Sequence, residues 1–157
     1  MNDRLVGAVI RAVEPDSNSR ILELHAGIGN LTLPLALTGA QVTAVERSRL
    51  SAGLNRRNQR QCGLEPDVIA QTDRDALRTA VYFDTLVIDP PRSGARAVAE
   101  SAASGRARRI VYVSCDPGTL ARDLSILTGS GFALRRGEVF DCFPQTAHVE
   151  TLALLER

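Results

Sequence analysis

A thiol and two carboxylates are the side chains with the most chemistry to offer in this chain. Cys115 stands in Val113-Ser114-Cys115-Asp116-Pro117, after the apolar run Ile110-Val111-Tyr112-Val113 and before Thr119-Leu120-Ala121-Arg122-Asp123-Leu124, which has helical character. A nucleophile at such a strand-to-helix junction sits where open α/β sheets build their sites. Asp89 ends a second apolar run and is followed by Pro90 and Pro91, which stiffen the loop and remove backbone donors. Its carboxylate could bind a cofactor's amino group or a target base. Glu150 supplies another carboxylate downstream. Upstream, in Leu22-Glu23-Leu24-His25-Ala26-Gly27-Ile28-Gly29-Asn30, Gly27 and Gly29 let the backbone bend tightly and bring its N–H groups close to a ligand. The turn lacks the third glycine of a dinucleotide fingerprint. Glu46 lies roughly 15 to 20 residues past it, the separation at which a carboxylate accepts ribose hydroxyls. Thiol, carboxylates and a nucleoside-binding turn together suit methyl transfer to a carbon atom through a covalent enzyme–substrate adduct.

These groups need a scaffold, and the hydrophobic pattern supplies one. Apolar runs at 21–24, 42–45, 68–70, 85–88 and 110–113 read as strands. They alternate with helical periodicity at 4–13, 30–37, 48–61, 74–79, 95–103 and 119–127. Strands near 132–140 and 149–155 close the pattern as an antiparallel pair. Such alternation predicts an α/β fold, a mostly parallel sheet covered on both faces. Asp73, past the third strand, could face an adenine ring. Asp75 competes for that place, and either could cap a helix; Asp73 is preferred.

The 157 residues fit a single domain. A net charge of +1 excludes a polycation built to coat nucleic acid. All 19 basic residues are arginine, grouped at Arg47, Arg49, Arg56, Arg57 and Arg60 and again at Arg106, Arg108 and Arg109. Solvated faces would use such groups, and so would phosphate binding. The three cysteines, Cys62, Cys115 and Cys142, have neither zinc-ligand nor redox spacing, which argues against a metal site or a disulfide framework. No apolar run reaches the ~18 residues of a membrane span, and no signal-peptide core opens the chain. The expectation is a cytoplasmic protein without metal or membrane partner.

The seven-strand pattern resembles the doubly wound, Rossmann-like fold of class I S-adenosylmethionine-dependent methyltransferases. Three motifs narrow the likeness: Asp89-Pro90-Pro91-Arg92-Ser93-Gly94; Ser114-Cys115-Asp116-Pro117 with Thr119 to Leu124; and Phe143-Pro144-Gln145-Thr146-Ala147-His148-Val149-Glu150-Thr151. In this order they resemble the RNA uracil-5 methyltransferases, which form 5-methyluridine in transfer or ribosomal RNA. The resemblance implies Cys115 as nucleophile and Glu150 as base. It implies S-adenosylmethionine as cofactor, contacted at His25, Asn30, Glu46, Asp73 and Asp89 beside the glycines at 27 and 29, and RNA as partner.

Carbon 5 of uracil is too poor a nucleophile to take a methyl group directly. Addition of a thiolate to carbon 6 makes an enolate whose carbon 5 can attack a sulfonium methyl, and a base must then remove the carbon 5 hydrogen. No metal is needed. The thiol should lie near a helix N-terminus, where its pKa falls, and the base must be unstacked or already in a loop. The arginine groups would hold phosphates, with His148 in a structural hydrogen bond.

Several positions depart from the family pattern. His25 and Ala26 stand where an aromatic residue and a cysteine are common, and Asp116 replaces a commoner asparagine, a charge that opposes thiolate formation. The family's N-terminal RNA-binding barrel and iron–sulfur regions are expected to be absent, leaving a catalytic domain over 1–157. Two rival readings stay open: methylation of a nitrogen or a small molecule on the same fold, which would make Cys115 dispensable, and a cofactor-binding module without turnover.

Overall fold

Thr85 to Ile88 are four buried residues in succession, and five of the six residues of Arg109 to Ser114 are also buried. Strands covered on both faces carry such unbroken burial, which is why they read as continuous apolar runs. The computed structural model describes residues 2–79, 82–103, 105, 107–141, 145 and 149–157. In chain order the elements are α1 (Asn2–Val13), β1 (Arg20–Leu24), α2 (Thr32–Ala36), β2 (Gln41–Val45), α3 (Arg49–Gln61), β3 (Val68–Ile69), α4 (Asp73–Thr79), β4 (Thr85–Ile88), α5 (Arg96–Ala103), β5 (Arg109–Ser114), α6 (Pro117–Gly129), β6 (Ala133–Phe140) and β7 (Glu150–Glu156).

The sheet order is β3-β2-β1-β4-β5-β7-β6. β3, β2, β1, β4 and β5 pair in parallel, and β7 inserts antiparallel between β5 and β6. The expected α/β class and antiparallel ending are both present. Successive side chains alternate between two cores, as the strand period of two requires. Leu22, Leu24, Leu86, Ile88, Ile110 and Tyr112 pack with α4, α5 and α6. Ile21, Val87, Val111 and Val113 pack with α1 and α2, where α1 contributes Leu5, Ala8, Val9, Ala12 and Val13 at helical spacing.

Strand ends differ from the expected boundaries by at most one residue, and the larger differences lie at the helix ends. α2 is confined to five residues, with no side chain capping its start. α6 is longer than expected at both ends, because Asp116 caps it and Pro117 fills its first turn, where a missing N–H costs nothing. The consequence for function is positional. Leu24 is level with Val45 and Ile88, Ile88 with Tyr112, and Ser114 with Thr151. His25, Glu46, Asp89, Cys115 and Glu150 therefore gather at the carboxyl edge of the parallel strands, the crevice side of an open sheet.

Candidate active site

The turn that carries Cys115 is closed by its neighbours. Ser114 Oγ accepts the Asp116 N–H at 3.1 Å and donates to the Asp116 carbonyl at 3.0 Å. Asp116 Oδ1 accepts the Thr119 N–H at 2.7 Å, and this bond holds its carboxyl below the usual carboxylate range. The charge expected to oppose the thiolate is thus directed at the first turn of α6 as its cap. Cys115 is free and half-buried at the start of a 13-residue helix, a partly exposed place beside a positive dipole end.

The glycine turn follows β1. His25, Gly27 and Gly29 have φ of 61°, 54° and 103°; for histidine that left-handed conformation carries strain. Glu46 Oε2 accepts the Gly27 N–H at 2.9 Å and Oε1 the Ser48 N–H at 2.7 Å. His25 Nε2 lies 3.1 Å from Asp73 Oδ2, in ion-pair range but not aligned for a hydrogen bond. Asp75 instead exchanges hydrogen bonds with Thr72, so Asp73 is the acid turned toward the β1 turn. Asn30 pairs its amide reciprocally with that of Asn2 on α1, at 3.0 and 3.2 Å. Gly27 and Gly29 differ in kind. A Cβ on Gly27 would meet nothing within 4 Å, whereas one on Gly29 would fall 2.3 Å from Leu33 Cδ1 and 2.9 Å from Asn55 Oδ1. Gly27 leaves open space above the turn; Gly29 lets the turn pack on its own protein.

Beneath the turn runs a buried polar chain that the motifs did not announce. Gln59 Nε2 donates to Asn55 Oδ1 at 2.9 Å, Asn55 Nδ2 donates to Thr32 Oγ1 at 3.1 Å, and Thr32 bonds Glu23 through both hydroxyl and backbone. All four residues are buried. Burial pushes the Glu23 carboxyl up to about 8, against the Thr32 bonds and with help from Asp89. Its Oε2 has no partner. A charged residue inside the apolar run Ile21–Leu24 was the available signal for it.

Burial also lifts Asp89, to about 6; the Glu150 charge adds to the shift and His25 opposes it. Desolvation raises Glu150 as well. Asp89 therefore links the thiol side of the crevice to the glycine turn, sensing groups on both.

Other expected contacts separate from the crevice. Arg109, at the far end of β5, is bound by Glu14, Glu156 and the Val13 carbonyl, so the group at Arg108 and Arg109 is on the opposite sheet edge from Cys115. Any phosphate held by that group would lie away from the thiol; Arg106 lies outside the described residues. Arg47, Arg49, Arg57 and Arg60 are exposed on and before α3, while Arg56 donates to the Val68 carbonyl. Cys142 and His148 also lie outside the described residues. Among the described residues, no group of three or more His, Cys, Asp or Glu could hold a metal ion, and no helix is long and apolar enough to cross a membrane.

Residues 71–157, more than half of the chain, match the family model described as tRNA (Uracil-5-)-methyltransferase. The chain belongs to this uracil-5-methyltransferase family. It is 38% identical over 161 residues to the 23S rRNA (uracil(1939)-C(5))-methyltransferase RlmD of Pseudomonas putida, covering 99% of this chain and 36% of that protein. It is 42% identical to the protein of the same name from Thiobacillus denitrificans, covering 100% of this chain and 38% of that one. The crystal structure of Pyrococcus abyssi tRNA (uracil-54, C5)-methyltransferase in complex with S-adenosyl-L-homocysteine superposes with a TM-score of 0.86 at 30% identity, over 98% of this chain and 38% of that one. The chain thus spans little more than a third of the length of these uracil-5-methyltransferase relatives.

Proposed function

We propose that this chain is the catalytic domain of an S-adenosylmethionine-dependent methyltransferase acting on carbon 5 of a uridine in transfer or ribosomal RNA. The observation that carries the reading is the convergence, at one sheet edge, of half-buried Cys115 with Asp89 and Glu150, whose carboxyls are both raised by burial. Cys62 and Cys115 are free thiols, which suits the reducing cytoplasm in which RNA is modified.

The residues present fit the cofactor. Glu46 is held by two backbone N–H groups and keeps lone pairs for a ribose diol. Gly27 leaves room above the turn, Asp73 stands beside it for an adenine edge, and His25 offers a ring face. Asn30 would have to leave Asn2 in order to contribute. Asp89 supplies anionic capacity for an amino-acid end. When bound, the cofactor supplies an electrophilic methyl group.

The chain's own residues do the rest. The Cys115 thiolate forms a bond to carbon 6 of the uracil, and the displaced π pair makes carbon 5 nucleophilic. Asp89 orients the base or the amino-acid end. After methylation, Glu150 takes the proton from carbon 5, the 5,6 double bond re-forms, and the sulfur leaves as thiolate. A carboxyl raised by desolvation is the better proton acceptor for this step.

RNA carrying 5-fluorouridine tests the sequence of steps, because fluorine on carbon 5 cannot be removed as a proton. With cofactor present, a gel-stable protein–RNA species is expected from the 157-residue chain or from a chimera in which it replaces the matching region of the Thiobacillus denitrificans relative. Cys115→Ala should abolish that species. Its absence in folded, cofactor-bound chimera would overturn the reading.

A further inference from the structure

The loop from Asp89 to Ala95 is tied to α6 at nearly every residue of its second half. Thr119, Arg122 and Asp123 occupy one face of α6 at helical spacing. Thr119 Oγ1 donates to the Arg92 carbonyl at 3.1 Å, and Arg122 Nη2 to the Ser93 carbonyl at 3.1 Å. Asp123 Oδ2 accepts the Ala95 N–H at 2.8 Å and the Tyr112 hydroxyl at 2.7 Å. Its other oxygen meets Arg122 at 2.8 Å. Between these contacts lies Gly94, with φ of 72°. A Cβ there would fall 2.6 Å from Arg122 Nη2, 2.7 Å from Asp123 Oδ2 and 3.0 Å from Thr119 Cβ. The same three side chains enclose it, so loop and helix are fitted with no slack.

The other end of that helix face reaches the thiol turn. The Thr119 N–H bonds Asp116 Oδ1, and the Thr119 hydroxyl lies 3.2 Å from the Asp116 carbonyl. Asp123 is fully buried, while its partner Arg122 is 39% exposed. A buried ion pair stabilises a fold weakly, since desolvation offsets most of the attraction. Apolar side chains would fill the volume as well. What the charged cluster adds is direction, because each contact has one donor and one acceptor in a fixed place.

We propose that Tyr112, Thr119, Arg122 and Asp123 are positioning residues that lock the loop bearing Asp89 to the turn bearing Cys115, fixing the geometry of the two groups that face the target base. This rests on the uridine reading above. None of the four touches the reacting atoms. Their effect is the alignment of two loops, where a displacement on the order of 1 Å costs about a hundredfold in rate.

The test uses Tyr112→Phe, Arg122→Ala and Asp123→Asn in the 157-residue chain and in the chimera, with three readouts well below each melting temperature. Amide exchange at Ala95 should quicken at least tenfold. The 5-fluorouridine adduct should form at least tenfold more slowly. The pH profile of Cys115 alkylation by iodoacetamide, mapped by peptide mass spectrometry, should stay within threefold. Unchanged exchange at Ala95, or unchanged adduct formation once that protection is lost, overturns the lock. Losses in all readouts in step with the unfolded fraction overturn it too, since they mark a merely structural role. A wild type that forms no adduct sinks the uridine reading instead, and exchange at Ala95 then decides for or against the lock on its own.

Discussion

The Glu46 carboxylate accepts the Gly27 N–H at 2.9 Å, so the end of β2 is fastened to the glycine turn before any ligand arrives. With Ser48 on its other oxygen, the carboxylate is oriented in advance, which lowers the cost of binding. Glu46→Gln should weaken S-adenosylmethionine about tenfold, since one side-chain end becomes a donor facing a donor. Glu46→Ala should weaken it about a hundredfold, in line with charge-assisted hydrogen bonds of about 1.5 to 3 kcal/mol. Calorimetric Kd values within twofold of wild type for both variants would remove Glu46 from the cofactor site.

Glu23 makes the unliganded protein sensitive to alkali. Its folded pKa, about 8, is raised from 4.5 by burial. The stability this gives is fully present below pH 4.5 and is lost as pH rises through 8. Glu23→Gln removes the titration. Its unfolding free energy should exceed that of wild type at pH 9, by an amount on the order of 5 kcal/mol, and fall level with or below it at pH 5. Parallel stability curves for the two proteins across that range would refute the assignment.

Asp89 predicts protons released on cofactor binding. In the free chain its carboxyl is held up at about 6, chiefly by burial and then by the Glu150 charge. A cationic amino-acid end beside it favours the ionised form, so affinity should rise from pH 5 to 7 and flatten above. Titrations in two buffers of different ionisation enthalpy should show net proton release near pH 6, lost in Asp89→Asn. Net uptake, or release unaltered by that substitution, would contradict the link.

Patterns that repeat along the chain were legible in the sequence; relations between distant segments were not. The five parallel strands, their helices and the antiparallel pair follow from apolar runs and periodicity, because strands buried on both faces leave continuous signatures. The gathering of Cys115, Asp89, Glu46 and His25 follows too, since each stands one residue past a strand. Asn30 is different. Its amide meets Asn2 across 28 residues of chain, and no local pattern encodes that. Asp116 beside a thiol reads as a charge problem in one dimension and as a helix cap in three. The line from Gln59 to Glu23 showed only as one charge in an apolar run, because its members come from three elements that meet only in the fold.

Gly29 shows the same gap in a form that mutation can measure. In the sequence it belongs to a ligand-binding turn; in the structure its missing Cβ makes room for Asn55 and Leu33. Gly29→Ala combines a positive φ with overlap and should cost roughly 3 kcal/mol in urea denaturation. Gly27→Ala meets no atom of the protein, so it should cost less in stability and more in cofactor affinity. The reverse ranking would show the two glycines to have been misassigned.

Ser114 is level with Thr151, and Phe140 with Glu150, so one strand departs from the crevice at the thiol as another arrives at the acid. Their meeting is written in a ladder of backbone bonds and not in the count of residues between them. Relatives can lengthen or trim the stretch between α6 and β7 without parting the pair. A slip of β7 by a single step would turn Glu150 to the other side of the sheet. Parity, not distance along the chain, is what selection has to guard.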